Sequence, residues 1–272
     1  MSQPDVHQPA EWAPHSACWL AWPSHGHLWQ ENLAPAQAEV AALCVAIAED
    51  GGEALELLVQ DDAAEGQARR ALAPVIEKVR FHRLSVGDIW LRDTAPIFVR
   101  DGAGSLAAAC FRFNGWGGKY LLPGDDQVAG RVAALSGRAR LNHDWVLEGG
   151  SVEVDGEGTV LTTRQCLLNP NRNPGLDQAD LEAALRRDLG AEKVLWLDEG
   201  LINDHTDGHI DTLARFVAPG VVVCMEASDP ADPNRATLDR LAADLAAMTD
   251  ARGRQLRAPG PQPGPHSRRG CR

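Results

Sequence analysis

Three stretches of the chain share one layout, and that repetition constrains the fold more than any other feature. Residues 92–111 (RDTAPIFVRDGAGSLAAACF), 149–166 (GGSVEVDGEGTVLTTRQC) and 208–225 (GHIDTLARFVAPGVVVCM) each read as strand, tight turn, strand. The turns fall at Asp101-Gly102, Asp155-Gly156 and Pro219-Gly220, dipeptides that reverse a chain readily, between runs rich in Val, Ile, Leu and Phe. A helical pattern follows each hairpin: DDQVAGRVAALSG, LDQADLEAALRRDLG and DPNRATLDRLAADLAAMTDARG, the first two ending in a glycine placed to cap a helix C-terminus. A short run after each helix, in RARLNHDWVLEGG, EKVLWLDEGL and the start of RQLRAPG, completes a ββαβ unit that recurs every ~55–65 residues.

The N-terminal part is a looser copy, with strands in ACWLAWP, ALELLVQ and RFHRLS and helices in APAQAEVAALCVAIAEDGG and EGQARRALAPVIEKV. Units of this size cannot bury both faces alone and have to pack around a common axis. The pattern therefore predicts a single α/β propeller-like domain over residues 1–256. An ordinary doubly wound sheet is the competitor, and against it stands the absence of GxGxxG or GxxxxGK[ST] phosphate loops. Residues 257–272, rich in Pro, Gly and Arg and without helix or strand period, read as a disordered tail.

Composition narrows the partners. With 38 acids against 26 Lys plus Arg, the net charge of −12 repels a polyphosphate backbone and suits a small cationic ligand. No leader-like N-terminus and no run of about 18 apolar residues appears, so no membrane partner is expected and a cytoplasmic location is. The six cysteines (Cys18, Cys44, Cys110, Cys166, Cys224 and Cys271) are scattered singly, without the CxxC pairs of a zinc ribbon or the density of a disulfide scaffold.

Ionisable groups stand at equivalent entries to the hairpins. Asp93 precedes the first in DIWLRDTAP, Glu148 the second in LEGGS, and His209 and Asp211 open the third within DHTDGHID. In a ring of repeats such positions converge on one pocket. Three carboxylates match the forked N–H array of a planar guanidinium, and a histidine can move a proton at neutral pH. Trp90 offers a flat face for a cation, and Trp116 in FNGWGGKY is a further candidate for the same lining. Other readings stay open: Asp93 beside Arg92 also looks like a structural ion pair, and His205 with His209 like a metal pair. Gly208 and the following strand argue against the helix that would place both histidines on one face.

Taken together, AEWAPHSACWLAWP, GDIWLRDTAPIFV, FNGWGGKY, LEGGSVEVDGEGTVLTTRQCLLNPNRNP and DHTDGHIDTLARFVAPG closely resemble the agmatine deiminase family, related to bacterial peptidylarginine deiminases. The resemblance implies the pentein fold, an α/β propeller of five ββαβ units, and hydrolysis of agmatine to N-carbamoylputrescine and ammonia without metal or organic cofactor. It implies that Asp93 and Asp211 hold the guanidinium, Glu148 assists proton transfer, His209 is the general acid/base and Trp90 lines the substrate pocket. A homodimer is the assembly it suggests. The family's nucleophilic cysteine, near the C-terminus in a GGG…HC context, has no counterpart here, and Cys271 sits among arginines one residue from the end. The resulting expectation is a pentein-type propeller with the fifth unit missing and no turnover from the chain as given. The alternatives are a peptidylarginine deiminase-type enzyme or a non-catalytic guanidinium-binding fragment.

Overall fold

The computed structural model describes residues 6–258, and the chain groups into two compact units. One comprises Ala13–Phe98 and Leu106–Gly149; the other contains Val99–Ser105, the N-terminal stretch through Trp12, and the chain from Gly150 onward. The backbone passes from one to the other inside the strand Ile97–Asp101.

In the unit built on Ala13–Phe98, the strands Cys18–Ala21, Leu55–Val59 and Val79–Arg83 form a parallel sheet in that order, with Leu20 opposite Leu57 and Leu57 opposite Phe81. The middle strand, LELLV, is apolar almost throughout because a central parallel strand is covered on both faces. Helix Leu33–Glu49 packs there through Cys44 and Ala48, alongside Ala64 and Ala68 of helix Asp62–Ala71. Asp61 caps the latter, accepting the Ala64 N–H at 2.8 Å. The pattern EGQARRALAPVIEKV does not stay α-helical to its end. The α-helix stops at Ala71 and a 3-10 segment, Ala73–Lys78, follows, because Pro74 removes a donor and collides with the preceding turn.

The same unit holds the parallel pair Leu106–Arg112 and Ala139–Val146, joined through helix Val128–Ser136, which ends on left-handed Gly137 as its sequence predicts. Val128 and Val132 of that helix pack with Leu58, Leu84 and Leu91, so the core reaches the short segment carrying Asp93.

In the other unit, Val152–Val154 and Thr159–Thr163 form the second predicted hairpin, and Lys193–Leu197 adds in parallel beside the latter. The Asp155 carboxylate closes the turn, accepting the N–H groups of Glu157 (2.8 Å) and Thr159 (2.9 Å) and the Thr159 hydroxyl (2.5 Å). Helix Gln178–Leu189 starts in a capping box between Asp177 and Asp180 and ends on left-handed Gly190. The third hairpin, Ala214–Ala218 with Val221–Cys224, turns at Pro219-Gly220 and carries a bulge near Phe216. Helix Arg235–Ala247 covers it through Leu238, Leu241 and Leu245.

The first hairpin differs in detail from expectation. Its left-handed residue is Gly104, not Gly102, because Asp101 draws the Ala103 and Ser105 N–H groups onto its own carboxylate and widens the turn. After the last helix the chain returns as single bridges, Thr249 to Gln255 and Val221 to Arg257, and Arg257 exchanges backbone hydrogen bonds with Gly220 and Val222. The rest of the tail, with Cys271, lies outside the described residues. Among the described residues no helix is long and apolar enough to cross a membrane.

Candidate active site

Asp93 sits on one turn of helix, Leu91–Thr94, whose N-cap is Trp90. Buried Leu91 anchors this turn, the Trp90 carbonyl accepts the Asp93 and Thr94 N–H groups, and Pro96 prevents its continuation. The indole of Trp116 donates to Asp93 Oδ2 at 3.1 Å. Trp116 is buried between Phe113 and Tyr120, ring centroids 4.8 and 6.0 Å away, with a left-handed backbone (φ 52°) in a glycine-rich turn that Asn114 closes onto the Gly117 N–H. FNGWGGKY thus aims an indole at a carboxylate. Trp90 is 51% exposed, its own indole N–H bonded to Asp88 at 2.9 Å.

Glu148 is fully buried in the same unit. Its neighbour Gly149 lies so close to the Asp93 segment that a Cβ there would stand 2.1 Å from the Arg92 carbonyl oxygen. The two carboxylates therefore flank a single backbone contact, Asp93 one residue after Arg92 and Glu148 one before Gly149. That answers why two glycines follow Glu148: the first permits the approach.

His209 and Asp211 belong to the other unit. DHTDGHID is a turn there, ending in the 3-10 turn Ile210–Thr212. Asp204 organises it, accepting the Thr206 N–H (2.9 Å) and hydroxyl (2.6 Å), the Gly208 N–H (2.7 Å) and the His209 N–H (3.2 Å). Burial pushes the Asp204 carboxyl up, but the bonds from Thr206 and Gly208 outweigh it and hold the group below the usual aspartate range. Asp207, left-handed at φ 64°, pairs with Arg172, whose buried guanidinium also reaches Asn171 (3.0 Å) and the Thr206 carbonyl (2.8 Å). Gly208 backs onto Gly200, where a Cβ would lie 2.3 Å from the Gly208 Cα, and the Thr163 hydroxyl donates to the Gly208 carbonyl at 2.6 Å.

The result is a rigid seat for His209, 2% exposed, with Nδ1 4.0 Å from an Asp211 carboxylate oxygen. The Cys166 sulfur comes within 4.8 Å of a His209 ring nitrogen. His205 and His209 share no helix face, because the stretch between them is a turn.

Each predicted residue thus has a definite place: Trp90, Asp93, Trp116 and Glu148 in one unit, His209 and Asp211 in the other. Asp204, Asp207 and Arg172 build the turn that seats His209, and Asp88 holds the Trp90 indole. The Asp-x-Thr spacing of Asp204 and Thr206 was a usable local signal; the partners of Asp88 and Arg172, tens of residues away, left none.

The family of Porphyromonas-type peptidyl-arginine deiminases matches residues 7–269. The chain belongs to that family, and its α/β fold is of the pentein type that the family's agmatine deiminases have. It is 42% identical over 260 residues to the agmatine deiminase of Stutzerimonas stutzeri (strain A1501), covering 93% of this chain and 69% of that protein. Over 255 residues it is 42% identical to that of Pseudomonas aeruginosa (strain LESB58), covering 91% and 68%. Among solved structures, agmatine deiminase of Enterococcus faecalis superposes with a TM-score of 0.86 at 34% identity, covering 93% of this chain and 71% of that one. A cysteine-to-serine variant of C. jejuni agmatine deiminase with substrate bound gives 0.82 at 27%, covering 93% and 73%.

Proposed function

We propose that the chain acts on the guanidinium of agmatine, in the hydrolysis that yields N-carbamoylputrescine and ammonia. The observation that carries this reading is the pre-set Asp93 carboxylate. One of its oxygens is fixed by the Trp116 indole, and its backbone is pinned between the Trp90 N-cap and the Gly149 contact. A carboxylate held this way loses little freedom when it accepts the paired N–H groups of a planar cation. Relatives named agmatine deiminase, at about 40% identity over most of the chain, support the same substrate.

In this reading Asp93 and Asp211 grip the cation, and His209 and Glu148 handle protons. Hydrolysis replaces one guanidinium nitrogen by the oxygen of water and releases that nitrogen, once protonated, as ammonia; in the deiminases this chain resembles, a cysteine thiolate makes the first attack on the carbon. A histidine suits both halves, giving a proton to the leaving nitrogen and then taking one from the water that completes the hydrolysis. Burial of His209 and Glu148 strengthens each electrostatic contact they make with a bound cation.

The test is calorimetric titration of agmatine into the purified 272-residue protein, with a short arginine-containing peptide in parallel and ammonia release followed in both. Saturable agmatine binding that exceeds peptide binding supports the reading. Preference for the peptide would transfer it to peptidylarginine, and binding of neither guanidine would overturn it.

A further inference from the structure

Both oxygens of Asp88 are taken by indoles. The Trp29 Nε1–H donates to Oδ1 at 3.1 Å and the Trp90 Nε1–H to Oδ2 at 2.9 Å. With Trp116 on Asp93, three indole N–H groups converge on the two carboxylates of the six-residue stretch DIWLRD, all within one unit. Asp88 has no Lys or Arg partner among the described residues, whereas Glu56, Glu65, Glu157 and Glu199 each pair with an arginine. The other carboxylate that senses it is Asp125, a buried acid holding the Gly87 N–H at 2.7 Å. The Asp88 carboxylate is thus held by indole N–H groups at the rim of Trp90, the half-exposed indole.

Two consequences follow. A carboxylate on the indole N–H fixes the ring and polarises it, which makes its face more attractive to a cation. Each carboxylate oxygen also has a second lone-pair direction, so one indole per oxygen leaves Asp88 able to accept from an ammonium.

We propose that Asp88, with the indole of Trp90 that it positions, selects guanidines carrying a second cation, reading the distal ammonium while Asp93 takes the guanidinium. The proposal rests on the guanidine-binding function argued above and deepens it by assigning the group that tells agmatine from a guanidine with a neutral tail. Asp88 is a positioning and specificity residue, away from the reacting carbon.

The probe pair is agmatine and butylguanidine, which share guanidinium and four-carbon chain and differ only in the terminal amine. Wild-type protein binds agmatine about tenfold more tightly, the size expected of one charge-assisted contact at a partly shielded site. In Asp88→Asn that ratio falls toward one, through weakened agmatine binding, while butylguanidine affinity shifts by less than about threefold. The Trp90 indole N–H resonance, assigned with Trp90→Phe, moves upfield in Asp88→Asn, and an otherwise unchanged spectrum shows that the variant folds. Asp88→Glu, which keeps the charge, retains the preference for agmatine in part. Equal weakening of both guanidines in Asp88→Asn, or an unchanged ratio, overturns the proposal. Equal binding of the two guanidines by wild type overturns it alone, leaving the guanidine-binding function standing; binding of neither overturns both.

Discussion

Replacing Gly149 with alanine should damage stability and ligand binding together, for a reason that can be worked from the geometry. The added methyl would stand 2.1 Å from the Arg92 carbonyl oxygen, where 3.0 Å is the closest that real Cβ atoms come. Relief needs roughly 1 Å of separation between two backbone segments, because the obstacle is a carbonyl and not the end of a flexible side chain. Gly149 has no left-handed φ, so no conformational penalty mixes with the steric one. Overpacking of this kind costs about 3 kcal/mol, which for a chain of this size lowers Tm by roughly 6–12 °C. Since Asp93 and Glu148 flank the contact, the carboxylates are spread apart and agmatine affinity should fall as well. Urea unfolding followed by tryptophan fluorescence gives the stability, and calorimetry gives the affinity. Gly26→Ala, with nothing within 4 Å of the added Cβ and no left-handed φ, is the control and should be neutral. If Gly149→Ala unfolds at the wild-type midpoint and binds agmatine as wild type does, the inference that this glycine sets the carboxylate spacing is wrong.

Three further outcomes are expected. Asp207→Ala removes a carboxylate partner from the buried Arg172 guanidinium and should cost up to about 3–5 kcal/mol in urea unfolding, whereas Arg172→Met, which removes the charge itself, should cost less. The depressed Asp204 carboxyl contributes stability that is fully present above its unfolded pKa of about 4 and is lost as pH falls through its lower folded value; Asp204→Asn should therefore flatten the stability curve in the acid range, and parallel curves for the two proteins would contradict this. Burial, with Cys18 nearby, pushes the Cys44 thiol up to about 11, so at pH 8 only about one part in a thousand is thiolate and mass spectrometry after iodoacetamide treatment of native protein should find Cys44 unmodified.

The parts of this protein that could be read from sequence are those whose cause is local. Asp155-Gly156 and Pro219-Gly220 turn where their backbone preferences say, and the Asp177–Asp180 capping box and Gly137 and Gly190 end helices as predicted. Pro74 was a local signal too, against an apolar period that otherwise runs on through the 3-10 segment. Gly104 was harder, because the turn was settled by where the Asp101 side chain reaches. The candidate site divides in the same way. Asp93, Glu148, His209 and Asp211 stand out because ionisable groups recur at hairpin entries. The residues that hold them in place do not: Asp207 finds Arg172 across 35 residues, Asp88 finds Trp29 across 59, and neither distance leaves a periodic trace.

The central claim is that these carboxylates grip a guanidinium, and agmatine titration into wild type, Asp93→Asn, Asp211→Asn and His209→Ala tests it most directly. Removing a charged partner from a buried cation should weaken binding by about thirtyfold or more in each aspartate variant, while His209→Ala, which loses a proton carrier and not a grip, should bind within a few-fold of wild type. Agmatine affinity that is unchanged in both aspartate variants, or lost only in His209→Ala, would contradict the account.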